Sequence, residues 1–181
     1  MRSRLAPILA LLVVLPGCLV TGVLDPAGGA RLTLHVHLVS VAHFEGVKAG
    51  LQSPDVVLKS ASMTPKKFAT FELELADVRK ISTAPSLSQA AVALIDDQGE
   101  RTLEVTLSNP APPQWSEALQ RYLGGEVKIA IALPGDVTAS NASSTQGRTV
   151  TWSWPMGEAV GRPRTDLAAT FKIPTKSAGA S

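Results

Sequence analysis

Alternation of apolar and polar side chains is the dominant signal along this chain. Leu32, Leu34, Val36 and Leu38 alternate with Thr33, His35, His37 and Val39, the two-residue period of a half-buried strand. Phe71, Leu73 and Leu75 alternate with Glu72, Glu74 and Ala76 in a second strand. Val127, Ile129, Ile131 and Leu133 repeat the pattern and stop at Pro134-Gly135, where proline lacks a ladder donor and glycine permits a tight reversal. Ala91–Ile95 and Thr102–Leu107 flank Asp96-Asp97-Gln98-Gly99, which predicts a hairpin because glycine accepts positive φ. Val137 and the row Val150, Trp152, Trp154 bracket a polar turn, Ser140–Gly147, and a last strand runs from Leu167 to Ile173 before Pro174. One helix is predicted over Trp115–Leu123. Pro112-Pro113 precede it, Trp115, Leu119 and Tyr122 share a face, and Gly124-Gly125 stop it. Residues 45–69, broken by Pro54 and Pro65, fit neither period; a helix over Val47–Ser53 or Val56–Ser62 is the reading left open. Seven or eight strands with one or two short helices predict an α+β fold, mainly antiparallel sheet.

The first residues follow a different logic. Arg2 and Arg4 form a basic start, and Leu5–Leu15 is an uncharged apolar run within the roughly 7–15 residues of a signal-peptide core. It is too short for a spanning helix, which needs about 20 residues. Leu15-Pro16-Gly17-Cys18 follows and resembles the lipobox of bacterial lipoproteins. That resemblance implies diacylglyceryl transfer to the Cys18 thiol, cleavage after Gly17 and acylation of the new amino terminus. Leu19, rather than aspartate, after the cysteine points to outer-membrane sorting if the cell has such a membrane; otherwise the outer face of the cell membrane is expected. Residues 1–17 then read as a lipoprotein signal peptide and 18–30, with Gly22, Pro26, Gly28 and Gly29, as a lipidated tether reaching roughly 20 Å. Residues 31–175 read as a single domain and 176–181 as a flexible tail.

Charge and cysteine content narrow the classes further. The chain has 17 Lys+Arg and 15 Asp+Glu; loss of Arg2 and Arg4 with the leader leaves the two signs equal. The charges are dispersed, with Lys66-Lys67 and Arg79-Lys80 the longest basic runs. Nucleic-acid recognition needs clustered positive charge, so no nucleic-acid partner is expected. Cys18 is the single cysteine, so the domain is expected to fold on sheet burial without a disulfide, metal or cofactor.

Glu126–Trp154 carries a family resemblance. Its plan is an alternating strand, Pro134-Gly135, a Val137 step, the Ser140-Asn141 turn and the strand Thr149-Val150-Thr151-Trp152. This order is similar to the LppM-like domain of bacterial envelope lipoproteins, with Ala142 standing where glycine usually follows the asparagine. The resemblance implies an α+β domain facing the envelope and, as in some members, a lipid or glycolipid ligand. Trp152 and Trp154 share strand parity and therefore one face, either core, the wall of an apolar ligand site or a face touching membrane.

Catalytic chemistry is thinly represented. His35 and His37 would point the same way about 7 Å apart, with His43 of the same parity, and could begin a metal site; a solvated face opposite Leu34 and Val36 is the simpler reading, so no metal site is assigned. Glu72 with Glu74 lie outward on a strand and Asp96-Asp97 belong to a turn. No H-E-x-x-H, G-x-S-x-G, Walker or EF-hand pattern occurs. The expectation is a lipid-anchored, non-enzymatic envelope protein that binds lipid or glycolipid. The alternatives are a protein–protein scaffold at the membrane surface and, behind it, a metal-dependent enzyme using His35 and His37.

Overall fold

The alternating rows are strands, and they build two sheets. The computed structural model describes residues 18–38, 40–109 and 125–173. The leader, the helix expected over Trp115–Leu123 and the tail 176–181 lie outside the described residues. In chain order the elements are β1 (Cys18–Leu24), β2 (Ala30–His37), α1 (Val41–Gly50), β3 (Val56–Met63), β4 (Phe68–Leu75), β5 (Ala90–Asp97), β6 (Glu100–Ser108), β7 (Glu126–Ala132), β8 (Val137–Ser140), β9 (Ser144–Gln146), β10 (Thr149–Pro155), α2 (Met156–Gly161) and β11 (Arg164–Lys172). Two 3-10 turns, Val78–Thr83 and Pro85–Leu87, join β4 to β5. The fold is α+β and mostly strand, as expected, with more strands than the seven or eight predicted.

A seven-stranded sheet runs β3-β4-β2-β1-β7-β10-β9, and a four-stranded sheet runs β5-β6-β11-β8. Among the described residues only β1 and β7 pair in parallel; their neighbours are antiparallel. In β4, Ala69, Phe71, Leu73 and Leu75 are buried while Phe68, Glu72 and Glu74 are exposed, so the predicted alternation sets the inner and outer faces. The β5–β6 hairpin turns through Gln98 and Gly99, at φ 49° and 87°, the twisted two-residue turn that needs positive φ at both positions.

The segment expected as a tether is a strand. Cys18–Leu24 lies inside the large sheet, with Leu19 opposite His35 of β2 and Val20 opposite Ile129 of β7. The Gly22 that reads as flexible in the sequence sits where a Cβ would lie 2.5 Å from Leu32 Cδ2 and 2.9 Å from Ile131 Cδ1. Neighbouring side chains fill the space over it. The folded body therefore includes Cys18–Leu24 rather than starting at residue 31.

Residues 45–69 also resolve differently from both helices considered. Ser40 caps α1, its Oγ accepting the His43 amide at 3.1 Å, and Phe44, Val47 and Leu51 bury one face of it. Phe44 stacks on Phe71 of β4, ring centroids 5.3 Å apart. The helix thus begins earlier than Val47 and ends at Gly50. Val56–Met63 is instead a strand, paired with β4 with a register shift between Leu58 and Ser60. Lys59 occupies that bulge, so Val56 and Leu58 fall out of phase with Ala61 and Met63.

Gly135 is needed for space rather than for positive φ. A Cβ there would meet the Lys172 carbonyl oxygen at 1.7 Å, where β11 passes the turn before β8. Forcing a methyl into such a contact typically costs about 1–3 kcal/mol. Gly135→Ala is expected to lower the melting temperature by several degrees, measured by circular dichroism.

Candidate apolar ligand site

Between the two sheets the inner rows do not close completely, and a cavity of about 210 Å³ remains. The large sheet contributes Cys18, Val20, Leu34, Ile129, Trp152 and Trp154; the small one contributes Val92, Val105, Leu107 and Leu167. Val78, Ile81 and Leu87 of the 3-10 turns close one side. Trp152 is almost fully buried and Trp154 partly so. The face predicted from their parity thus joins the core to the cavity wall.

The polar groups of the lining gather at one end. Ser108, Asn109, Arg162 and Thr165 line that end of the cavity, where β6 finishes, β11 begins and Arg164 lies opposite Ser108. Arg162 is ion-paired with Glu158 one turn back on α2. Cys18 and Trp154 each border Val127 in the large sheet, at the same end. The arrangement is a hydrocarbon-lined slot with a polar rim, which suits an amphiphile.

Asn141 sets the two walls against each other. Its Oδ1 accepts the Trp152 indole N–H at 2.7 Å and the Ala168 amide at 2.8 Å, and its Nδ2 donates to the Asp166 carbonyl at 3.0 Å. Asn141 follows β8, Trp152 lies in the large sheet, and Asp166 and Ala168 lie in β11 of the small one. The Ser-Asn turn and Thr-Val-Thr-Trp strand are therefore two halves of one clamp.

Cys18 faces this interior. Its side chain is 7% exposed, and burial among apolar neighbours pushes its thiol up from 9.0 to about 11. The histidines lie elsewhere. On the outer face of β2, His35 Nδ1 is 3.0 Å from Thr70 Oγ1, and the His37 ring packs on Phe68 with centroids 4.9 Å apart. His43 is on α1, where burial lowers its pKa. Among the described residues no group of three His, Cys, Asp or Glu side chains could hold a metal. Glu72 accepts from Ser60 and Glu74 pairs with Lys59, while Asp96 is bound by Arg101. What the sequence reading missed was the opposite wall, Val105, Leu107 and Leu167, together with Arg162. The period of β6 shows which residues face inward but not that they stand away from the other sheet.

Two measurements check this geometry. Asn141→Ala leaves the Trp152 indole N–H unpaired in the interior, and a loss of about 2 kcal/mol is expected in urea unfolding. In protein made without lipid on Cys18, the thiol keeps its proton to about pH 11 when folded and to 9.0 in its ordinary state. Stability is therefore full below about pH 9 and falls as pH rises towards 11, a decline that Cys18→Ala is expected to lose.

The comparisons with known proteins follow the same outline. A family model described as the LppM domain matches residues 58–169, well beyond the stretch that first carried the resemblance. The NMR structure of the folded domain of Mycobacterium tuberculosis LppM is similar in fold, with a TM-score of 0.53 at 12% identity, covering 99% of this chain and all of that one. No protein of curated function matches the sequence. Since the family model spans more than half of the sequence, the chain belongs to the LppM domain family.

Proposed function

We propose that this protein is a lipid-anchored envelope lipoprotein whose domain binds the acyl part of a lipid or glycolipid in the inter-sheet cavity, without catalysis. Membership of a lipoprotein family is consistent with a cell-envelope location. The observation that carries the reading is the apolar slot with its polar groups gathered at one end. An apolar cavity of roughly 150 Å³ is enough to take benzene, so about 210 Å³ accepts a longer hydrocarbon segment. A polar head would meet Arg162, Ser108 and Thr165 while the chain lies between Ile129 and Val105. Among the described residues the lining holds no carboxylate and no imidazole, and acylation would occupy its one sulfur, so the site is equipped to hold a ligand rather than to transform one. Anchorage would come from acyl chains on Cys18, each buried methylene adding roughly 0.8 kcal/mol. Among the described residues no helix is long and apolar enough to cross a membrane.

The test is native mass spectrometry of the full chain purified from its own envelope, where a bound lipid is expected. Val105→Trp fills the slot from the small sheet and is expected to remove that lipid and weaken an apolar fluorescent probe at least tenfold. Its melting temperature should stay within a few degrees, because Val105 is only partly buried. Unchanged probe binding in that variant sinks the cavity reading. Separately, Cys18→Ala is expected to release the protein from membranes washed in high salt, where only an acyl anchor would hold it.

A further inference from the structure

The β3–β4 connection lies at the same end of the large sheet as Cys18. His37 pairs with Phe68 and Met63 with Ala69, while Leu19 pairs with His35. By that register Cys18 in β1 falls beside Val36 in β2 and Ala69 in β4, one residue short of His37 and Phe68. β4 lies two strand spacings from β1, roughly 10 Å.

This connection is basic and apolar together. Lys66 and Lys67 are exposed, and Phe68 beside them is 51% exposed. Phe68 points to the outer face and is held upright against the His37 ring. The turn is pinned: the Leu38 amide donates to the Lys67 carbonyl at 2.8 Å and the Thr64 amide to the Phe68 carbonyl at 2.8 Å. Val41, opening α1 three residues after Leu38, is 63% exposed. Lys67 has φ 64°, a conformation in which glycine would be more relaxed, yet the chain places a cation there. Among the described residues, the nearby Glu45 pairs with Lys48 and Glu158 with Arg162, and Glu126 stands at the start of β7. The turns at the other end of these strands carry Asp25, Asp55 and Asp77, the last two paired with Lys80 and Arg79.

We propose that this end of the sheet docks on an anionic lipid bilayer, with Phe68 and Val41 entering the interface and Lys66 and Lys67 meeting lipid phosphates. The inference deepens the preceding reading and rests on it in one respect: with Cys18 acylated, docking here turns the polar rim of the cavity towards the membrane. A lipid could then pass between bilayer and slot without crossing water.

The experiment uses the full-length chain carrying Cys18→Ser, so that no acyl chain dominates binding, and vesicles of phosphatidylcholine with or without phosphatidylglycerol. Binding is expected to the mixed vesicles and to weaken with salt. A basic residue near such a surface contributes roughly fivefold in partitioning, so K66Q and K67G should each weaken binding by about that factor and F68S should weaken it as well. K67G should also melt at the same or a higher temperature, which separates lost docking from lost folding. Hydrogen exchange on the mixed vesicles should slow in residues 37–44 and 64–70. Absence of binding, indifference to phosphatidylglycerol, or equal binding by wild type and these variants overturns the proposal. The apolar probe separates the two readings. Probe binding that survives in variants that no longer dock leaves the cavity standing, whereas vesicle binding by a protein that takes up no probe removes the cavity reading alone.

Discussion

Asn141 is the constraint on which the geometry of this domain depends. One side chain satisfies the indole N–H of Trp152 in the large sheet and the backbone of Asp166 and Ala168 in the small one. Sheets packed only by hydrocarbon slide until their rows interdigitate and the gap closes, as in the interiors of ordinary sandwiches. A directional clamp at one point fixes their separation instead. The apolar rows can then remain apart over Ile129 and Val105 while Phe171, Val150 and Leu167 are fully buried close by.

The cavity is shaped by small residues as much as by large ones. Gly22 lets Leu32 and Ile131 lean across β1, and Gly135 lets β11 run close under the turn before β8. The 3-10 turns after β4 bring Val78, Ile81 and Leu87 over the slot. Outside it lie the ion pairs of Asp96 with Arg101, Asp77 with Arg79 and Asp55 with Lys80; the exposed pairs contribute little to stability but keep the outer surface polar. Apart from the polar groups at one end, the cavity lining is apolar.

The place of Cys18 would tie the proposed anchorage to the fold. It is the first residue of a central strand, and its side chain shares the inner face with Val20 and Leu24. An acyl group on its sulfur would emerge within the cavity end bordered by Trp154 and Val127, so the proposed anchor and ligand site are neighbours. A tether of a dozen flexible residues would have left the orientation of the domain to chance, whereas a strand leaves little freedom.

The sequence by itself determined which residues face inward along β2, β4, β7, β10 and β11, the turn at Gln98-Gly99, the family motifs around Asn141 and Trp152, and the lipobox resemblance at Cys18. These are local properties: a two-residue period or a turn dipeptide is complete within a few positions. β1 escaped because its apolar residues run together and its glycine reads as freedom until Leu32 and Ile131 cover it. β3 escaped because the bulge at Lys59 breaks its period, and α1 because its apolar positions are few and flanked by Pro54. Tertiary structure alone decided that β1 joins β7 in parallel, that Asn141 bridges the sheets, and that the facing rows stop short of contact. Pairing, clamping and gap depend on residues far apart in the chain, and no local pattern encodes the distance between two faces.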